Sequence, residues 1–134
     1  MKIFYHRYVL QLFLITCCGI SIATAAGDTL DKQFIKFETG QLNLGRDLWI
    51  ENCKGCHAYG TAGAPIPMQA NDWKKRVTKD RSILYKHAIN GFFGPDDTMM
   101  PERGGNPELS DKQVKLAVDY MVELANFYIN NSQK

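Results

Sequence analysis

The chain is poor in the side chains that do most chemistry: 134 residues contain three histidines and four cysteines. His6, Cys17 and Cys18 fall in an N-terminal stretch of distinct character. Lys2, His6 and Arg7 precede the apolar run that begins Tyr8-Val-Leu-Gln-Leu-Phe-Leu-Ile15, and Ala23-Thr24-Ala25 follows as a small-x-small cleavage site. Residues 1–25 therefore read as a signal peptide. The competing reading is an uncleaved anchor, because Tyr8 to Ala26 is a nearly apolar run of 19 positions and a span needs about 20. Gln11, Thr16, Gly19, Ser21 and Thr24 dilute the run and favour cleavage. Acylation at Cys17 or Cys18 is disfavoured, since Thr16 and Cys17 are unusual residues to precede a lipoprotein cysteine. Cleavage after Ala25 removes two of the 16 basic residues, Lys2 and Arg7, and none of the 14 acidic ones, so the formal charge falls from +2 to zero. A balanced chain gives no electrostatic footprint for nucleic acid.

Other absences narrow the class further. No repeat at solenoid periods is visible, and no low-complexity tract interrupts a composition of 45% hydrophobic and 22% charged residues, which is ordinary for one packed domain. No Ser/His/Asp set, paired carboxylates or phosphate-cradling glycine loop supports hydrolysis or nucleotide chemistry. No stretch alternates apolar and polar residues as a half-buried strand would. The expectation is an all-α domain over residues 40–134, preceded by a short leading segment at 26–39. Leu42, Leu44, Leu48 and Trp49 repeat at helical spacing in a helix running toward Cys53. Glycines and prolines make Tyr59 to Met68 a loop. Short helices are expected at 72–77 and at 82–90, the second ended by Gly91, and Phe92 to Pro107 reads as a long functional loop. The last helix is the clearest: Ser110 and Gln113 form a capping box, and Val114, Ala117, Val118, Met121, Val122 and Ala125 mark one apolar face.

Removal of the leader leaves Cys53 and Cys56 as the remaining cysteines, in an exported and oxidising setting where a free thiol pair is a liability. They stand in Cys53-Lys54-Gly55-Cys56-His57. Cys-x-x-Cys-His is the attachment signal of c-type haem. Two thiols three positions apart on an ending helix can each form a thioether to a vinyl group, and the adjoining histidine gives the iron an axial nitrogen. A thioredoxin-like pair would want a preceding strand. Structural zinc would want a fourth nearby ligand, and the remaining histidine, His87, is remote. A Cys53–Cys56 disulfide would close too small a loop to stabilise much. The expected cofactor is one haem c on Cys53 and Cys56.

The second axial ligand is sought among Met68, Met99, Met100, Met121 and His87. A thioether opposite histidine favours the ferrous state and raises the potential. Met121 belongs to the apolar face of the last helix, and Met68 is only eleven residues from His57. His87 reads by default as a partly buried, hydrogen-bonded side chain. The Met99-Met100 pair lies far enough along the chain to wrap the haem. Met100 is preferred because Pro101 directly after it stiffens the approach.

The ordered set of these pieces resembles the class I cytochromes c, and more narrowly the c-five type of bacterial monohaem cytochrome. It comprises Gly45-x-x-x-Trp49-x-x-x-Cys53-x-x-Cys56-His57, Gly63-Ala64-Pro65, Lys86-His87-Ala88-Ile89-Asn90-Gly91-Phe92, Met100-Pro101-x-x-Gly104-Gly105-Asn106-Pro107 and Ala117-Val118-Asp119-Tyr120-Met121. The resemblance implies the small class I fold, with crossing N- and C-terminal helices, short middle helices and wide loops wrapped around one haem. It implies that Gly45 lets the first helix pass close to the last near Tyr120, and that Pro65 offers its carbonyl to the His57 N–H. It implies His57 and Met100 as iron ligands, with Trp73 and Arg76 near the haem edge as donors to propionates. The chain departs from the family at Ile66-Pro67-Met68 and at Glu102. The function implied is a periplasmic one-electron carrier between respiratory redox partners. A haem enzyme or gas sensor with an open or labile sixth position is the alternative, and a membrane-anchored form facing the periplasm is the alternative location. Lys74, Lys75, Arg76, Lys79, Arg81 and Lys86 form one basic cluster, either a solvated face or a docking patch for a redox protein.

Overall fold

The computed structural model describes residues 33–95 and 97–132. The signal, anchor and acylation readings of residues 1–25 lie outside the described residues. The architecture follows from how closely two long helices cross. Helix α1 spans Gly40–Asn52 and the C-terminal helix, α5, spans Asp111–Asn131. A Cβ placed on Gly45 would stand 2.2 Å from the Leu116 carbonyl oxygen and 3.2 Å from Tyr120 Cβ. Only a residue without a side chain lets the backbones meet there, as the family resemblance implies.

Around this crossing the apolar stripe of α5 is buried: Val114, Ala117, Val118, Tyr120, Met121, Val122, Leu124 and Ala125. Trp49 and Tyr120 are both fully buried, with ring centroids 5.7 Å apart. The helix begins as expected. Ser110 Oγ accepts from the Gln113 N–H at 3.3 Å and Gln113 Oε1 accepts from the Ser110 N–H at 2.9 Å, which satisfies two of the orphan donors of a helix start.

The end of the short leading segment expected at 26–39 belongs to the packed body. Phe34 is buried and meets Trp49 edge-on at 5.1 Å. Its carbonyl accepts from Arg46 Nε at 2.6 Å, and the Phe37 carbonyl accepts from Asn43 Nδ2 at 2.7 Å. Phe34, Ile35 and Phe37 stand too close together to show a helical or strand period, so this docking has no sequence pattern to announce it.

Between the long helices come α2 at Lys54–His57, α3 at Ala70–Trp73 and α4 at Arg81–Asn90. Helix α3 is shorter than the expected 72–77. The Asp72 carbonyl, which an α-helix would offer to the Arg76 N–H, takes the Arg76 guanidinium instead, and the Arg76 N–H turns to the Trp73 carbonyl at 2.8 Å. Helix α4 is capped by the Asp80 carboxylate, which accepts from the Ser82 N–H at 2.7 Å, and ends at Gly91 with φ +79°. The loop Phe92 to Pro107 holds a small antiparallel ladder, β1 at Phe92–Phe93 with β2 at Met99–Met100, pairing Phe92 with Met100 and Phe93 with Met99. Two-residue strands are too short to show alternation. The domain remains all-α. Among the described residues no helix is long and apolar enough to cross a membrane.

Candidate haem site

The Cys-x-x-Cys-His run sits where α1 ends. The Cys53 N–H still donates to the Trp49 carbonyl at 2.8 Å, and the His57 N–H donates to the Cys53 carbonyl at 3.0 Å, so the five residues continue one helical path with a break at Cys53. That path turns Cys53 and His57 into a narrow cleft walled by Trp49, Ala88, Leu109, Val114, Val118 and Met121, among others. Cys56, three positions on, is exposed. Burial and the neighbouring Cys56 push the Cys53 thiol up to about 11.

His57 is buried and its Nδ1 lies 2.9 Å from the Pro65 carbonyl oxygen. A carbonyl can only accept, so Nδ1 carries the proton and Nε2 keeps the lone pair. Burial lowers the pKa of the ring, the Pro65 bond opposes that, and the nearby Arg76 charge lowers it further. A neutral imidazole with a free Nε2 is the form a metal takes.

Met100 lines the same cleft. Successive strand residues point to opposite sides, and Met99 accordingly turns outward and is 54% exposed. Met121 is a cleft wall on α5, while Met68 packs half-buried against the core. His87 stacks on Phe92 with centroids 4.0 Å apart, which is a packing role at the surface. Pro65 stays behind His57, and Trp73 and Arg76 lie on α3 and the turn after it, outside the cleft wall. Pro67, where the chain departs from the family pattern, is fully buried, and the Ile66 N–H is taken by the Asp72 carboxylate at 3.0 Å.

Three observations fit this site to a haem of the c type. Its donors are two thiols three residues apart and one neutral imidazole. Its walls are apolar, as a porphyrin face requires. The buried indole donor of Trp49, which lines the cleft, has no hydrogen-bond partner among the described residues, and a buried donor left unpaired is costly unless an acceptor such as a carboxylate arrives. A structural zinc reading has no comparable support: among the described residues there is no cluster of three metal-binding side chains.

Sequence reasoning overlooked Arg103, which is part of the cleft wall. The signal was present, a lone cation between Met100-Pro101 and Gly104-Gly105. It also treated the face of α5 as plain core, whereas Val114, Val118 and Met121 serve core and cleft together.

Residues 40–121 match the family described as cytochrome c oxidase, cbb3-type, subunit III. The chain is similar to cytochrome c-555 of Prosthecochloris aestuarii, with 40% identity over 88 residues that cover 63% of this chain and 89% of that protein. It is similar to cytochrome c-555 of Chlorobaculum thiosulfatiphilum at 37% over 78 residues, 58% of this chain and 90% of the relative. The same identity and span relate it to cytochrome c-555 of Chlorobaculum tepidum, covering 71% of that protein.

Proposed function

The chain belongs to the class I monohaem c-type cytochromes, and we propose that it is a periplasmic one-electron carrier whose iron is held by His57 and Met100. Haem c, bound through Cys53 and Cys56, supplies the one-electron change between ferric and ferrous iron. The protein's part is to hold and enclose. The reading is carried by one observation: His57, with Nε2 free, and Met100 line one apolar cleft from different parts of the chain. With His57 and Met100 both holding the iron, no position would remain for substrate, which suits a carrier and opposes an enzyme. Trp73 and Arg76 support propionate binding, the first through its unpaired indole N–H. The apolar run and small-x-small site at residues 8–25 support export.

Redox partners are met through transient contacts. The basic cluster supports a docking face for acidic proteins, since Lys74, Lys75, Lys79 and Lys86 are exposed. Arg76 and Arg81 are committed inward, the latter to Asp119 at 3.0 Å and Glu123 at 3.3 Å. The test of the ligand pair is the optical spectrum of the ferric holoprotein. The sulfur-to-iron charge-transfer band at the red edge is expected in the wild type, lost in Met100→Ala and kept in Met99→Ala. A wild type without the band overturns Met100 as ligand, and a high-spin ferric spectrum in its place leaves the sixth position open and overturns the carrier reading.

A further inference from the structure

Arg103 follows the methionine by three positions and adopts φ +51°, a left-handed conformation uncommon for a residue with a side chain. Gly104 and Gly105 continue it at +67° and +86°. The glycines adopt this region freely, so the cost falls on Arg103, whose conformation persists where its surroundings hold it. The turn brings the Arg103 guanidinium against the start of α5. Nη1 donates to the Leu109 carbonyl at 2.6 Å and Nη2 to Asp111 Oδ1 at 2.7 Å. The other side of the turn is fixed to α1: Asn106 Nδ2 donates to Asn52 Oδ1 at 2.8 Å. A Cβ on Gly104 would lie 2.9 Å from the Asn52 carbonyl oxygen. Arg103 itself lines the cleft together with Met100.

We propose that Arg103 is a positioning residue for the iron's methionine: its two-pronged bond to Leu109 and Asp111 fixes the loop that presents Met100 and resists displacement of that sulfur. The inference rests on the ligand reading given above. Met100 has few ties of its own, being half-buried in a two-residue strand whose partner, Phe92, is exposed. The stiffness of its approach must therefore come from the segment behind it. Arginine suits the task because its planar fork reaches two acceptors at fixed angles, whereas lysine offers a single flexible point of charge.

The experiment is an imidazole titration of the ferric holoprotein, followed through loss of the red-edge sulfur band, in wild type, Arg103→Gln, Arg103→Lys and Asp111→Asn. Imidazole competes with the methionine, so its apparent affinity reports how easily the sulfur leaves. Removing both charge-assisted bonds is expected to raise that affinity by about tenfold or more. Arg103→Lys is expected to stay close to Arg103→Gln, and Asp111→Asn, which keeps the Leu109 bond, to fall between them and wild type. Equal affinity in wild type and Arg103→Gln, both showing the band, overturns the clamp while leaving Met100 as ligand. Full rescue by Arg103→Lys also overturns it, because charge alone would then be the cause. A wild type with no band overturns the ligand reading and the clamp with it.

Discussion

Gly45→Ala isolates the helix crossing on which the site is built. The added methyl carbon would stand 2.2 Å from the Leu116 carbonyl oxygen, a backbone atom that no rotamer change can move aside. Ordinary contact begins near 3.4 Å, so α1 and α5 must separate by about 1 Å along their closest line, weakening dispersion contacts on both sides. Overpacking a core commonly costs about 1–3 kcal/mol, and a backbone obstruction belongs at the upper end. Better helix propensity of alanine returns about 0.5–1 kcal/mol. A net loss of about 2 kcal/mol is expected, which for about 100 residues corresponds to a thermal midpoint lower by about 10 °C. Urea unfolding of the holoprotein, followed by far-UV circular dichroism, should show a lower midpoint concentration at an unchanged slope. A variant as stable as wild type would refute the claim that Gly45 is required by close approach.

Two further outcomes test the periphery of the domain. Burial, then the Asp119 carboxylate that accepts its hydroxyl proton at 2.5 Å, push Tyr85 from 10.0 up to about 12. A proton held more tightly in the folded state contributes stability that is complete below pH 10 and lost as pH rises through about 12. The stability advantage of wild type over Tyr85→Phe should therefore be constant below pH 10 and shrink above it; a pH-independent difference in thermal midpoint would count against the bond. The Lys79→Glu/Lys86→Glu double variant should be oxidised by hexacyanoferrate(III) about threefold to tenfold more slowly at low salt, with a flatter salt dependence. Unchanged stopped-flow rates would make the basic cluster a solvated face only.

What the sequence disclosed and what it hid divide along physical lines. Period and capping are local properties, so α5 with its Ser110–Gln113 box and α4 with its Gly91 end were legible. The Cys53 to His57 run was legible because covalent attachment demands fixed spacing. The placement of Met100 over Met99 was expected from Pro101, and the structure adds that the two side chains point opposite ways from β2. The packing of Phe34 on Trp49 was not legible, since it joins residues across a turn with no periodic support. Nor was the role of Arg103, whose acceptors are a carbonyl six residues on and a carboxylate at the next helix start. Aperiodic pairings of this kind are set by how the chain turns in three dimensions, and composition is silent about that.

The site has no element of its own. The last turn of α1 presents Cys53, and His57 follows on α2; α5 gives the cleft Val114, Val118 and Met121. The methionine arrives on a loop that is fastened to α1 through Asn52 and Asn106 and to α5 through Arg103. Both fastenings lie on the two helices that meet at Gly45, so any change in their separation also changes the distance between the loop's two anchor points. Fold stability and ligand placement are therefore one quantity seen from two sides. Gly45→Ala should loosen the sulfur as well as the domain, raising imidazole affinity with Arg103 intact. If the domain loses stability while imidazole affinity stays at the wild-type value, the crossing and the ligand loop are mechanically independent, and this coupling is wrong.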